Sequence, residues 1–325
     1  MNGKVRLTLA ALAGALLWVA TAYPLQAGTG PAAATKASAS QLQGVYRFNL
    51  GKVRITALSD GTLPLDLHPL LRGISPAQID ALLQKGFARN PLETSINAYV
   101  VDSGSYIALI DTGAGELFGA VGGQLLRSLA AAGYRPEQIS DVLITHIHTD
   151  HSGGLIRGGQ RLFPNATVHI GQPDIDFFLD PANLGKGLKA KHLEEAQNTV
   201  GPYLDAGKVR TFSGTTQILP GIMAIPTPGH TPGHAFYSVE SEGESIEFWG
   251  DILHVGLVQF AQPQVTIEFD VDQNAARAQR LQQFAAAAQG RKRVAAAHLP
   301  FPGVGYMRPE GAHYQWVPAE YRNRD

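Results

Sequence analysis

The spacing of apolar residues along the chain predicts many short strands with a few helices between them. Apolar and polar residues alternate at 52–58, the pattern of a half-buried strand, and the turn signal at 59–61 ends this stretch. Ser75 and Pro76 indicate the start of a helix, as an N-cap followed by a proline. The same criteria predict strands at 95–101, 106–110, 141–145, 167–170, 246–249 and, last, 294–297, with several within 209–239, and helices at 119–132, within 174–200 and from Asp272 to 289.

Strands therefore dominate both halves of the sequence, and helices lie between them. Two packed sheets with helices outside them fit this order, which is an architecture of the mixed α/β class. A parallel, doubly wound sheet fits the pattern as well and stays open at this point. The chain has 325 residues, 44% of them hydrophobic, which is enough for a substantial core. We place a single domain at 45–325.

The first 27 residues have the layout of a secretory signal sequence. Lys4 and Arg6 precede an apolar run at 7–22, and Ala27 stands at the predicted cleavage point. A membrane anchor is the alternative, but the apolar run is short for a span. Residues 28–44, which begin with a stretch rich in Gly, Ala, Ser and Thr, predict a flexible linker. We therefore expect a periplasmic or secreted protein with no membrane association after cleavage.

The overall composition narrows the kinds of partner and the kinds of site. The formal net charge is -1, and no basic stripe stands out, so we expect no nucleic-acid partner. The chain contains no cysteine, which excludes disulfides, thiolate metal ligands and cysteine nucleophiles. Any metal site in this chain must therefore be built from imidazole and carboxylate groups.

A cluster of metal-ligand residue types follows the predicted strand at 141–145. His146 and His148 are two positions apart, so in extended chain they point to the same side. Asp150 and His151 follow in a predicted turn, and the paired glycines at 153–154 indicate the start of a helix. A single histidine in a surface turn would mean little, but four such side chains within six positions favour a metal site.

Three more candidate ligands follow strands or sharp turns later in the chain. His230 lies in the segment Pro-Gly-His-Thr-Pro-Gly-His, Asp251 follows a predicted strand, and His298 ends the last one. Each alone would more often be structural, as a capping aspartate or a core histidine. His234, four residues after His230, is interpreted as structural support and not as a ligand.

The order of these motifs resembles the full dinuclear pattern of the metallo-β-lactamase superfamily. The resemblance covers nearly all of the expected mature chain, and it implies an αββα sandwich of two mixed β-sheets flanked by helices. Asp111, in Ile-Asp-Thr-Gly, matches the aspartate that orients a ligating histidine in this family. Carried over by position, the first ion takes His146, His148 and His230, the second takes Asp150, His151 and His298, and Asp251 bridges both.

The resemblance also implies the chemistry. It implies two divalent ions, for which zinc is the family default, while manganese, iron or cobalt are also compatible with these ligands. Two such ions would lower the pKa of a bridging water to about 7, so that the water can attack an ester-type centre. Asp150 and Asp251 are the predicted catalytic carboxylates. His254, three residues after Asp251, is a candidate hydrogen-bond donor or general acid toward the substrate.

Within the superfamily, the segments 57–61, 91–95 and 296–303 look most like methyl parathion hydrolase and its dihydrocoumarin-hydrolase-like relatives, the lactonases and arylesterases. This resemblance implies a small-molecule lactone or aryl ester as substrate, phosphotriesters as a side activity, and a homodimer. The alternatives are a dedicated organophosphate hydrolase, a zinc β-lactamase, or a metal-binding module without activity. Asp251 stands where common zinc β-lactamases have cysteine, which argues against a β-lactam substrate. The predicted substrate pocket comprises Leu67, Leu71, Phe118, Phe177, Phe178, His254, Ile267 and Phe269.

Overall fold

The computed structural model describes residues 1, 3 and 41–322. The predicted signal sequence, at 1–27, and the predicted linker up to residue 40 lie outside the described residues, apart from residues 1 and 3. The chain divides into two units, Met1–Gln41 and Leu42–Asp325, and the second contains every strand and helix described below. Within the described part of the chain, no helix is both long and apolar enough to cross a membrane.

The first sheet has seven strands, and it is mixed. Its first four strands pair antiparallel, and the remaining pairs are parallel. In spatial order the strands are β1 (Val45–Leu50), β2 (Val53–Leu65), β4 (Leu92–Asp102), β5 (Ile107–Ile110), β6 (Asp141–Leu143), β9 (Thr167–Gly171) and β10 (Val209–Phe212).

The second sheet also has seven strands, and only the β14–β16 pair within it is parallel. In spatial order they are β11 (Thr216–Leu219), β12 (Ile222–Pro226), β13 (Ala235–Ser241), β14 (Glu244–Phe248), β16 (Arg293–Ala295), β17 (Val304–Glu310) and β18 (His313–Pro318). Two short pairs complete the strands: β3 (Leu71–Arg72) with β15 (Thr266–Ile267), and β7 (Ile156–Arg157) with β8 (Gln160–Arg161).

The first and the last of the α-helices begin at residues whose side chains accept hydrogen bonds from free backbone N–H groups. Ser75 and Gln78 form a reciprocal capping box at the first helix, and Asp272 accepts two backbone N–H groups at the last. The helices are α1 (Pro76–Lys85), α2 (Leu125–Ala131), α3 (Thr149–Ser152), α4 (Gln172–Phe178), α5 (Ala190–Thr199), α6 (Gly201–Asp205), α7 (Gly256–Gln259) and α8 (Gln273–Gly290), with short 3-10 turns at Pro136–Gln138, Gly153–Leu155, Pro181–Asn183 and Gly250–Ile252.

The core consists of three layers, which arise because the central strands are buried on both faces. In β4, Tyr99 and Val101 pack toward the second sheet, while Ala98 and Val100 pack toward the helices on the other side. Side chains from both sheets form the middle layer, and α8 covers the second sheet through Phe284. The predicted αββα sandwich is thereby confirmed, and the doubly wound alternative is excluded because the strands form two large sheets.

Several predicted boundaries were wrong. β2 does not end at 59–61 but continues to Leu65, because a register shift between Ser59 and Gly61 absorbs the turn residues. The buried Asp60 there accepts the backbone N–H groups of Ala114, Gly123 and Leu125. These contacts hold residues 114–123 as a loop, so the helix predicted from 119 begins only at Leu125.

Two further predictions differ from the structure near the end of the chain and after the histidine cluster. The helix expected from the glycines at 153–154 begins earlier, at Thr149, so Asp150 and His151 are helical. Gly154 instead lies against the backbone of Thr112, where a Cβ atom would be 2.0 Å from the carbonyl oxygen. The strand predicted at 294–297 is not the last one, since β17 and β18 follow it.

Candidate metal centre

The candidate ligands meet at one edge of the two sheets because each follows the end of a strand. His146 and His148 come after β6, and His230 comes after β12. Asp251 follows β14 and His298 follows β16, which are neighbouring parallel strands. Gly250 has a φ of 53°, a conformation that favours glycine, and it turns the chain so that Asp251 faces the histidines.

The first group of ligands contains three histidines and one carboxylate, with one ligand atom of each within 4.8 Å of all the others. The nitrogens His148 Nδ1 and His230 Nε2 are 3.0 Å apart, and His230 Nε2 is 3.2 Å from His146 Nε2. The oxygen Asp251 Oδ2 lies 3.2 Å from His230 Nε2 and 3.5 Å from His146 Nε2. The structure thus brings together the predicted ligands of the first ion.

The second group contains Asp150, His151 and His298, again within 4.8 Å of one another. The other oxygen of Asp251, Oδ1, lies 3.2 Å from His151 Nε2 and 3.1 Å from His298 Nε2. One oxygen of Asp251 therefore faces each group, which is the placement that a bridging carboxylate requires.

The residues fit a pair of divalent cations. His151 Nε2 and Asp251 Oδ1 are buried without a hydrogen-bond partner, which would be costly unless a ligand satisfied them. Burial, with the nearby His151, holds the pKa of His146 well below its ordinary value, so its ring is neutral and free to bind. Burial favours the neutral form of Asp251, but the surrounding histidines, first His151 and then His298, hold its pKa well below the usual range. A buried carboxylate surrounded by imidazole nitrogens is a ligand set that suits zinc and similar ions.

Groups behind the ligands fix the orientation of their rings. Asp111, with a φ of 57°, places Oδ2 at 2.8 Å from His151 Nδ1, while Thr145 donates to it from both backbone and side chain. His298 Nδ1 donates to the carbonyl oxygen of Ser95 at 2.9 Å. Each contact leaves Nε2 of the ring directed at Asp251, as a ligating histidine needs.

His230 and His234 differ in their contacts, although they share one motif. His230 Nδ1 is 2.8 Å from Asp270 Oδ1. Burial opposes protonation of His230, but its contacts with Asp251 and Asp270 raise its pKa to about 9. His234 accepts the backbone N–H of Asp251 at Nε2, and burial lowers its pKa to about 3. Its position is that of a support for the bridging carboxylate.

A cavity of about 430 Å³ opens above the ligands. Five predicted pocket residues line it, and three others do not. Leu67, Leu71 and Ile267 are buried in a separate cluster under α1, because the pairing of Leu71 with Ile267 across β3 and β15 turns both into the core. The predicted residues that line the cavity are Phe118, Phe177, Phe178, His254 and Phe269.

His254 lies between the bridging carboxylate and the aromatic wall. Its Nε2 is 3.0 Å from Asp251 Oδ2, and its ring stacks on that of His298 at a centroid distance of 5.1 Å. Burial lowers its pKa, although Asp251 opposes this. The neutral ring therefore has one N–H to donate at the floor of the cavity.

Comparisons with known proteins agree with this geometry. Residues 92–298, more than half of the chain, match the metallo-beta-lactamase superfamily. The chain belongs to the metallo-β-lactamase superfamily. A solved structure of a hydrolase of the beta lactamase superfamily, AbOPH, is 39% identical, with a TM-score of 0.83 over 87% of this chain and 100% of that one.

Lactonases are also similar to this member of the superfamily. AidC, a dizinc quorum-quenching lactonase solved with the product N-hexanoyl-L-homoserine, is 26% identical, with a TM-score of 0.79 over 87% of this chain and 100% of AidC. An N-acyl homoserine lactonase from Bacillus sp is 27% identical over 120 residues, which are 37% of this chain and 40% of that lactonase. The chain thus aligns with less than half the length of that relative.

Sequence reasoning missed three residues of this metallo-β-lactamase site. His192 is not among the predicted site residues, but it lines the cavity with its ring centroid 5.6 Å from that of His148. Asp270 holds His230 and also lines the cavity, and Asp174 contacts both loops that carry the first ligand group. No local motif marks any of them, because each lies far along the chain from its partner.

Proposed function

We propose that this protein is a dinuclear zinc hydrolase of lactones and aryl esters, with dihydrocoumarin-like compounds as the preferred class and phosphotriesters as weaker substrates. The observation that carries the proposal is the cavity, whose floor is the ligand cluster and whose walls include four phenylalanines. A flat aromatic substrate fits such walls, since aromatic rings pack edge-to-face or offset against one another. The similarity to AidC supports two zinc ions and a lactone.

The residues of the chain prepare the site for this chemistry. When bound, two divalent ions supply an activated water and polarise the substrate carbonyl. Asp251 stays charged because the histidines around it hold its pKa low, so it can bind both ions at once. His254 donates its N–H toward the leaving oxygen at the cavity floor. Phe178, at 1% exposure, packs edge-on to His148 at 5.5 Å and helps to exclude bulk water.

A dedicated organophosphate hydrolase of the methyl parathion type is the second candidate. A nitrophenyl leaving group fits the same cavity. The two functions differ in whether the carbonyl carbon of a lactone or the phosphorus of a phosphotriester reacts faster. A zinc β-lactamase is disfavoured by the aspartate at 251, and an inactive metal-binding module is disfavoured by the convergence of all seven predicted ligands. A periplasmic or secreted location and a homodimer remain parts of the proposal that rest on the sequence alone.

The test is a paired kinetic assay of the zinc-loaded mature protein with dihydrocoumarin and methyl paraoxon. We expect kcat/KM to be higher for the lactone, and His254→Leu to lower it by about tenfold, the effect of losing one hydrogen bond of about 1.4 kcal/mol. His313→Leu, at an exposed position on β18, is the matched control and should change neither rate. Much faster turnover of methyl paraoxon, unaffected by His254→Leu, would overturn the proposal in favour of the second candidate.

A further inference from the structure

A buried carboxylate outside the ligand set lies between two parts of the metal centre. Asp174, at the start of α4, is 0% exposed. Its Oδ2 accepts the backbone N–H of Ile147 at 2.9 Å and the hydroxyl of Thr231 at 2.9 Å. Its Oδ1 accepts the backbone N–H of Gly233 at 2.6 Å. All of its hydrogen bonds therefore go to other segments of the chain.

These partners identify what Asp174 holds together. Ile147 lies between His146 and His148, and Thr231 follows His230 directly. The three histidines of the first ligand group thus come from two loops, 146–148 and 230–233, and Asp174 contacts both. The distance between the loops matters because His148 Nδ1 and His230 Nε2 must stay about 3.0 Å apart to share one ion.

The contacts do not extend to the second ligand group. The rings of His151 and His298 are held by Asp111 and by the carbonyl oxygen of Ser95. Asp174 contacts neither of these supports through the hydrogen bonds described above. A change at Asp174 should therefore act on the first ion more than on the second.

We propose that Asp174 is a positioning residue that clamps the loops 146–148 and 230–233 together and thereby sets the affinity of the first metal ion. The inference rests on the proposed dinuclear site. In Asp174→Asn, one oxygen becomes an NH₂ group, which must face the N–H of either Gly233 or Ile147. One of the loops then loses its hydrogen bond and is repelled by a second donor. Loss of a group that orients metal ligands typically costs 10- to 100-fold in metal affinity.

Asp60→Asn is a matched control. Asp60 is also 0% exposed and also accepts three N–H groups, those of Ala114, Gly123 and Leu125. It holds the loop at 114–123, which carries no candidate ligand. Its substitution should lower stability to a similar degree while leaving zinc affinity at the first site unchanged. A general loss of folding is thereby separated from a loss of positioning.

The experiment measures zinc bound per chain after dialysis of the full-length protein against graded zinc buffers. We expect two affinities in the wild type, a 10- to 100-fold weaker first site in Asp174→Asn with the second unchanged, and wild-type behaviour in Asp60→Asn. His298→Ala, which weakens the second site, identifies the remaining ion. In the double variant, which combines His298→Ala with Asp174→Asn, both sites should bind zinc weakly.

The possible results distinguish the role of Asp174 from the existence of the dinuclear site. A wild type that binds no zinc would overturn both. If the wild type binds two zinc ions but Asp174→Asn lowers the zinc affinity of both sites equally, or of neither site, only the role of Asp174 would be overturned. If Asp174→Asn fails to fold, Thr231→Val removes one of its three hydrogen bonds, and the first site should still weaken selectively. Unchanged affinity in Thr231→Val would then refute the clamp.

Discussion

Replacement of Asp270 by asparagine removes the carboxylate that neutralises a buried arginine behind the metal centre. Asp270 Oδ2 lies 3.6 Å from Arg280 Nη2, and Arg280 is 1% exposed. Burial raises the pKa of Asp270, but its bond to His230 and the charge of Arg280 hold that pKa below its ordinary value, so the pair is ionised. After substitution, Arg280 keeps bonds to the carbonyl oxygens of Ile252 and Val265 but faces an uncharged amide.

The size of the effect follows from this geometry. Breaking a buried ion pair by removal of one partner costs about 3–5 kcal/mol. The separation of 3.6 Å is long for an ion pair, and the carbonyl bonds survive, so we expect a loss of about 3 kcal/mol. The unfolding entropy is about 2.1 cal/mol/K per residue, so for the unit Leu42–Asp325 each kcal/mol shifts Tm by a little under about 2 °C, and Tm should fall by roughly 5 °C.

Thermal unfolding of the metal-free protein measures this loss without interference from bound ions. The set comprises the wild type, Asp270→Asn, Arg280→Met and the double variant. The double variant should be less destabilised than the sum of the single variants, by about 1–3 kcal/mol, because it leaves no buried arginine without its carboxylate. Asp272→Asn is the control, since asparagine caps a helix as well as aspartate does. Additivity of the single effects within about 0.5 kcal/mol would refute the reasoning.

Two further predictions concern protonation and backbone strain. Zinc binding to the metal-free protein at neutral pH should release protons, because a histidine binds the ion through its neutral ring. Zinc affinity should therefore rise with pH up to the pKa of His230, about 9. Titration calorimetry in two buffers of different ionisation enthalpy measures the proton release, and equal heats in the two buffers would contradict it. The protonated pair of His230 with its carboxylates conversely stabilises the metal-free fold, fully below the ordinary histidine pKa of 6.5, and this stability is lost as the pH rises toward about 9. Phe87→Gly should raise the free energy of unfolding by about 1 kcal/mol, because Phe87 is fully exposed at a φ of 58°; a lower Tm would count against this.

The candidate ligands could be predicted because their signals are local. His146, His148, Asp150 and His151 lie within six positions, after a strand whose apolar residues are evident, and the remaining ligands each follow a strand. The order of secondary-structure elements was equally local, since alternation and capping residues mark strands and helix starts. Boundaries failed where a distant contact competes with a turn signal, as at Asp60, which is bonded to Ala114 and Leu125.

The sequence by itself therefore determined the metal-binding residue types, because these signals are local, and the order of its motifs implied the fold and the grouping of the ligands through their resemblance to the metallo-β-lactamase superfamily. The tertiary structure alone decided which groups stand behind and around the ligands. Asp174 is 27 residues from Ile147 and 59 from Gly233, and Asp270 is 40 from His230. The wall of the cavity was decided in the same way: Ile267 and Phe269 are two residues apart, yet one packs in the core and the other lines the cavity. Such contacts depend on how the two sheets pack, and no short-range pattern records that packing.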